Sequence, residues 1–308
     1  MAMTARPTAD RYPTRLPHAV DPVPRAEPVV WPGGPRGPIA PADLRSYDRK
    51  GHLAVRGWLR EAEVASLRDE VARLTDDPAL RSDPRVVREK RSGAVRSIFQ
   101  VHRLSPPVAE LLGDPRVLDR ARQILGSEVY LHQSRVNCMP GFTGKGFYWH
   151  SDFETWHAED GMPAPRAVSM SLALRDNFPF NGGLMLIPGS HRTFVPCVGE
   201  TPAGHYRESL REQQIGVPGE AEIRSLATDH GIDQFTGPAG SALWFDANIL
   251  HGSADNITPF PRSNLFVVFN SVENTLTEPF AAPARRPEHV AERDFTPLRR
   301  TDQRNDRG

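Results

Sequence analysis

The sequence predicts a mainly β protein with flanking helices, a sandwich or jelly roll braced on one side. Three observations carry that expectation. Long stretches of helical spacing are concentrated before residue 126. From residue 128 the period changes to two, and short strand-like runs alternate with Pro- and Gly-rich turns. No internal repeat and no clear second boundary interrupts the 308 residues. Helices first and many short strands afterwards fit stacked sheets with helices on a flank.

The elements follow in order. Ten of the 30 prolines lie in the first 41 residues, so residues 1–40 are expected to form an irregular arm wrapped on the surface. Pro41 starts a short helix. Val64, Leu67, Val71 and Leu74 then share one helical stripe, as do Val117, Leu118, Ala121, Ile124 and Leu125 in a helix stopped by Gly126. These helices make a brace over 41–126. A β core over 127–275 begins with EVYLHQSRVN, in which Val129, Leu131, Gln133, Arg135 and Asn137 are expected on one unusually polar face. Further strands are expected at 168–174, 184–187, 241–245 and 265–270, with short helical stretches near 205–213 and 220–228. Together brace and core form one domain over 41–300, and residues 301–308 form a tail.

Composition excludes several functions. The 38 basic residues balance 38 acidic ones, so nothing draws the chain to nucleic acid or to a membrane surface. Cys138 and Cys197 are too few for a disulfide framework and are expected to be inert packing residues in a reduced, cytoplasmic setting. The N-terminus has no apolar signal core, and no run approaches a membrane span. P-loop, Rossmann and nucleophile-elbow motifs are absent.

The chemistry-bearing residues cluster late. His150 and Asp152 face alike if their segment is extended, and His251 follows a strand-like run. Two histidines and one carboxylate leave three positions open on octahedral iron, room for a bidentate cosubstrate and O2. Chance alone supplies roughly 0.7 His-x-Asp triplets in a chain of this composition, and His157-Ala158-Glu159 is a rival pair. Arg262, eleven residues beyond His251, could grip a carboxylate bidentately or make an ordinary surface ion pair. Phe147, Tyr148, Trp149, Phe153 and Trp156 crowd the proposed ligands and read as pocket walls.

FYWHSDFETWHAEDGMP (147–163) closely resembles the signature of the ectoine hydroxylases, a bacterial group among the phytanoyl-CoA dioxygenase-like, iron(II)- and 2-oxoglutarate-dependent dioxygenases. RSIFQVH (96–102), ILGSEVYLHQSRVN (124–137), NGGLMLIPGSHRTFVPCVGETP (181–202) and HGSADNITPFPRSNLFVVFNSVEN (251–274) resemble the same group, in order. The resemblance implies a double-stranded β-helix (jelly-roll, cupin-like) core and hydroxylation of ectoine to 5-hydroxyectoine with release of succinate and CO2. It implies iron at His150, Asp152 and His251, excluding His157 and Glu159. It implies 2-oxoglutarate at Arg262, with Asn137, Ser169, Ser253 and Phe99 around it. Ectoine would meet Gln133, Trp156, Phe245, Phe266 and Arg286, while Arg135 could serve either ligand. Met139 stands where relatives can carry a lysine near the cosubstrate. Asp152 separates the chain from related halogenases, which need that position vacant. A homodimer is implied as well. The alternatives are the same chemistry on another small amino-acid-like substrate, or a non-catalytic jelly-roll binding protein.

Overall fold

The helical stripes form the helices expected of them, in a computed structural model that describes residues 10–90 and 92–303. Helix α1 (Pro41–Lys50) begins at its proline and stops at Gly51, whose φ of 77° a residue with a Cβ adopts reluctantly. Helix α2 (Glu61–Asp76) buries Val64, Leu67, Val71 and Leu74. Two short helices follow, α3 (Val101–Leu104) and α4 (Pro106–Gly113). Helix α5 (Pro115–Leu125) then buries Val117, Leu118, Ala121, Ile124 and Leu125 and ends at Gly126.

Numbered along the chain, β2 (His52–Val55), β11 (Ala242–Asp246), β7 (Ala167–Ala173), β13 (Arg262–Ser271), β5 (Val129–Met139), β4 (Val95–Phe99) and β3 (Val86–Arg88) form an antiparallel sheet in that spatial order. A smaller antiparallel sheet runs β10 (Asp233–Gln234), β8 (Leu184–Leu186), β12 (His251–Ser253), β6 (Phe147–His150). β1 (Val23–Pro24) pairs with β9 (Thr193–Phe194). One face of the large sheet, including Leu265, Val267 and Phe269, packs on α2, α4 and α5 in the main core. Its other face meets the small sheet through Ala173, Leu243, Phe245 and Phe266 against Leu184 and Leu186. The result is a jelly roll of two facing sheets braced by helices on one side.

Two expectations change here. Val129 and Leu131 do not share a face with Gln133, Arg135 and Asn137. Phe269 pairs with Leu131 but Val268 with Gln133, so His132 is an extra residue in β5. That bulge reverses the alternation: Val129 and Leu131 join the helix-side core, while Gln133, Arg135 and Asn137 turn towards the small sheet. Nor do all described residues of the N-terminal arm stay on the surface, although most of them do. Tyr12, Thr14 and Arg15 are buried, and Leu16 bridges to Val198. Prolines remove ladder donors at their own positions but leave the side chains between them free to be buried.

Three further helices lie among the strands. α6 (Asp152–Thr155) runs into a π-helical turn, Trp156–Asp160. The stretch expected near 205–213 is a single turn, α7 (Tyr206–Ser209), and α8 (Glu220–His230) matches the second. No helix among the described residues is long and apolar enough to cross a membrane.

Candidate metal centre and substrate pocket

His150 ends β6 and His251 begins β12, and the two are direct cross-strand partners, which sets their rings 4.3 Å apart between centroids. The extended backbone continues only through Ser151 (φ −106°, ψ 128°), so Asp152 opens helix α6 instead of extending the strand. Its carboxylate still reaches both imidazoles, with Oδ1 3.8 Å from His150 Nε2 and Oδ2 3.9 Å from His251 Nε2. The ligand atoms of the three buried side chains all lie within 4.8 Å of one another. His150 Nδ1 lies 2.7 Å from the Tyr148 carbonyl and His251 Nδ1 3.0 Å from that of Ile249. Each Nδ1 donates a proton to its carbonyl, which fixes the tautomer and leaves Nε2 with its lone pair facing Asp152. Burial, reinforced by His251, pushes His150 down to about 3, so it is neutral at physiological pH. Two imidazoles, each with Nε2 turned inward, and one carboxylate suit iron(II) and leave half an octahedron for other ligands.

These three groups open into a pocket between the sheets, with an empty volume of about 710 Å³ that includes the open solvent of its mouth. Arg262 lines it almost fully buried, with Nε and Nη1 unpartnered and only the Met139 sulfur, 3.8 Å away, near Nη2. Burial and the neighbouring charge of Arg96 push its guanidinium down to about 10. A buried cation without a counter-ion is costly, and an anionic ligand is what relieves it. Arg135, half-buried, brings a second guanidinium whose buried Nε is unpartnered, 5.2 Å over the Phe266 ring, and desolvation lowers it too, against the pull of Asp152.

The opposite wall is arranged differently. Arg286 donates from Nε and Nη2 to the Asp160 carboxylate at 2.7 and 2.5 Å, leaving Nη1 with no protein partner. Burial raises Asp160, but Arg286 outweighs it and holds the carboxyl at about 2. Gln133 donates from Nε2 to the Val290 carbonyl, so its Oε1 is the free end. Trp156 lines the pocket in front of His132, whose ring meets it edge-on at 4.9 Å.

A family model described as phytanoyl-CoA dioxygenase (PhyH) matches residues 47–264. The chain belongs to the phytanoyl-CoA dioxygenase family. It is 62% identical over 289 residues to the ectoine dioxygenase of Nocardia farcinica, covering 94% of this chain and 95% of that one. It is 54% identical to the ectoine dioxygenase of Streptomyces coelicolor, covering 97% and 100%. Among solved structures it is similar to EctD from S. alaskensis with 2-oxoglutarate and 5-hydroxyectoine, at a TM-score of 0.86 and 44% identity over 94% of this chain and 98% of that one. The same protein with bound Fe matches at a TM-score of 0.84 and 44% identity, with the same coverage.

Within this phytanoyl-CoA dioxygenase family member, most of the expected site residues meet at one pocket. His150, Asp152, His251, Arg262, Asn137, Ser253, Gln133, Arg135, Trp156, Phe266 and Arg286 all line it. Phe245, Ser169 and Phe99 stand one layer behind. Phe245 packs its ring 5.2 Å from that of His251, Ser169 lies on β7 opposite Phe245, and Phe99 lies 6.0 Å beneath the Arg135 guanidinium. Of the five clustered aromatics only Phe147 and Trp156 reach the pocket. Phe153 packs on Tyr12 and Phe194, Trp149 packs beside α8, and Tyr148 is half exposed. The rival His157 is structural: Nδ1 meets the Met162 carbonyl, Nε2 meets Asp10, and the ring stacks on Phe280. Glu159 faces Arg15. Thr155, Leu184, Ser209, Leu210 and Gln213 line the pocket without having been anticipated.

Proposed function

We propose that this protein hydroxylates ectoine to 5-hydroxyectoine while 2-oxoglutarate is decarboxylated to succinate and CO2. One oxygen atom of O2 enters the substrate C–H bond and the other enters succinate. The observation that carries this reading is a buried, unpaired Arg262 in the same pocket as the His150–Asp152–His251 cluster. Iron(II), held by His150 Nε2, His251 Nε2 and the Asp152 carboxylate, supplies the O2 chemistry when bound.

The chain's own residues do the placing. Arg262 binds the distal carboxylate of 2-oxoglutarate through its fork, with Asn137 and Ser253 beside it. Phe99 and Ser169 support that side from the second layer. Ectoine, a small zwitterion with a delocalised amidinium, is held by the Trp156 face and by Gln133 Oε1, while Arg286 Nη1 meets its carboxylate. Phe266 closes the apolar wall, with Phe245 behind the metal face, and Arg135 bridges the two ligands. Fixing both ends of a small substrate presents a single carbon to the metal face, and such positioning lowers the barrier. The likeness to ectoine dioxygenases further implies a homodimer, and a single monomeric boundary in sedimentation velocity would refute it.

Purified protein loaded anaerobically with iron(II) and given 2-oxoglutarate, O2 and ectoine tests the reading. Equal yields of succinate and 5-hydroxyectoine are expected. Succinate formed with a free amino acid but not with ectoine would overturn the substrate assignment, and no retained iron would overturn the enzyme itself.

A further inference from the structure

We infer that Arg15, on the N-terminal arm, is a positioning residue that sets the substrate wall of the pocket. The inference rests on the ectoine-hydroxylating reading above. Arg15 has φ 59°, a left-handed conformation that a non-glycine residue keeps only when its surroundings enforce it. Its side chain enters the interior and meets two carboxylates. Nε donates to Glu154 Oε1 at 2.7 Å, and Nη2 donates to Glu154 Oε2 at 3.0 Å and to Glu159 Oε1 at 3.2 Å. Thr14 adds a hydroxyl to Glu154 Oε1 at 2.7 Å.

The two carboxylates sit on the segment that does the work. Glu154 lies two residues after Asp152 in α6, and Glu159 lies in the π-helical turn that begins at Trp156. From Glu159 the buried charges continue: Oε2 is 3.9 Å from Arg286 Nε, Arg286 is forked onto Asp160, and Asp160 lies 3.5 Å from His132 Nε2. His132 is the bulge residue of β5 and packs on the Trp156 ring, so the chain of charges begins at the arm and closes behind the substrate wall. A π-turn is rarely stable on its own and is frequent where a fold aims side chains at a site. Here the Arg15 fork ties Glu154, two residues before the turn, to Glu159 near its end.

A second contact points the same way. Gly216 lies directly over the pair, and a Cβ there would fall 2.3 Å from Arg15 Nη2 and 2.5 Å from Glu154 Oε2. Gln213, three residues earlier, lines the pocket and donates from Nε2 to Thr155 Oγ1 at 3.2 Å. Arg15 therefore also seats the segment that roofs the pocket.

The test compares wild type, Arg15→Lys and Arg15→Gln, loaded with iron(II) and 2-oxoglutarate. Ectoine affinity is read by anaerobic calorimetry, alongside the 2-oxoglutarate KM and the succinate to 5-hydroxyectoine ratio. Displacement of groups remote from the reacting carbon erodes placement, so Arg15→Gln should weaken ectoine binding about tenfold or more while the 2-oxoglutarate KM stays within about twofold. Succinate should exceed hydroxyectoine, and Arg15→Lys should recover part of both effects. Arg15→Met combined with Glu154→Gln, which leaves no unpaired charge at that pair, provides a folded variant if Arg15→Gln misfolds, with the same expectation. Unchanged ectoine affinity in a folded variant, or equal losses for both ligands with a lower Tm, would overturn the inference. Failure of the wild type to convert ectoine would overturn the functional reading instead.

Discussion

Arg262→Met is expected to make the ligand-free protein more stable and the enzyme inactive. In the pocket, Nε and Nη1 of Arg262 have no partner, and burial with Arg96 pushes the guanidinium down from its ordinary value to about 10. At about 1.4 kcal/mol per pH unit, that gap disfavours the charged form by roughly 3 kcal/mol in the folded chain. The unfolded chain holds the proton more tightly, so throughout the neutral range the charge counts against folding. Methionine removes the charge and keeps a flexible apolar stem beside Met139, so stability without ligand should rise by on the order of 1 to 3 kcal/mol. In a chain this long, that is a Tm higher by about 1.5 to 5 °C. Charge-assisted bonds are worth about 1.5 to 3 kcal/mol each, so losing a bidentate pair should raise the 2-oxoglutarate KM by about a hundredfold or more. Scanning fluorimetry with and without 2-oxoglutarate reads both effects. Ligand should raise the wild-type Tm by mass action and leave the variant unmoved. A variant that melts lower than wild type and keeps its 2-oxoglutarate KM would refute the assignment of Arg262 to the cosubstrate.

Alanine at His150, Asp152 or His251 should abolish iron binding with the fold retained, whereas His157→Ala should keep its iron, because His157 is bonded to Met162 and Asp10; metal content after anaerobic reconstitution decides. Trp156→Ala should weaken ectoine binding, a stacked cation being worth about 0.5 to 2 kcal/mol, and should let succinate outrun hydroxyectoine. If that ratio matches wild type in a variant of lowered Tm, Trp156 serves packing alone. Burial, helped by Arg103, pushes His102 down to about 4. Between about pH 4 and 6.5 the unfolded chain then binds a proton that the folded chain does not, so stability is full above about 6.5 and falls as pH drops, by at most about 1.4 kcal/mol per pH unit. Urea midpoints across that window should fall less steeply for His102→Gln, and parallel curves would exclude His102 as a source of acid sensitivity.

Much of this molecule is legible in its sequence, and what is hidden has physical causes. The stripes of α2 and α5 are visible because consecutive turns each contribute to one buried face. Helix α4 is hidden because Pro106 and Pro107 look like a break, although a helix start tolerates proline. Strands β6 and β12 are short and carry site residues in place of an apolar alternation, so only the motif marks them. The bulge at His132 is one inserted residue, and nothing in the period of EVYLHQSRVN shows where alternation reverses. Family likeness pointed to the three side chains that converge in the pocket but not to the depth of each residue: Phe245, Ser169 and Phe99 are neighbours of lining groups. Arg15 and Glu154 are 139 residues apart, a pairing to which spacing is blind.

The two walls of the pocket hold their arginines in opposite states, and that difference bears on the order of binding. Arg262 faces the pocket without a counter-ion, whereas Arg286 already shares its charge with Asp160 and offers only Nη1. A dianionic cosubstrate therefore removes a large standing electrostatic cost, while a zwitterionic substrate gains a hydrogen bond from a cation whose charge is largely spent. Arg135, half-buried and incompletely bonded, lines the same pocket. With 2-oxoglutarate absent, the uncompensated charge of Arg262 and that of Arg135, which only Asp152 offsets, repel the amidinium of ectoine; with 2-oxoglutarate present, that repulsion is offset. Ectoine binding should accordingly be weak in the iron enzyme alone and strengthen when 2-oxoglutarate is added, and by linkage the cosubstrate should bind more tightly with ectoine in place by the same factor. Calorimetric titrations in both orders measure that factor. A value of one would mean that the walls act independently and that the unpaired charge of Arg262 serves only the cosubstrate.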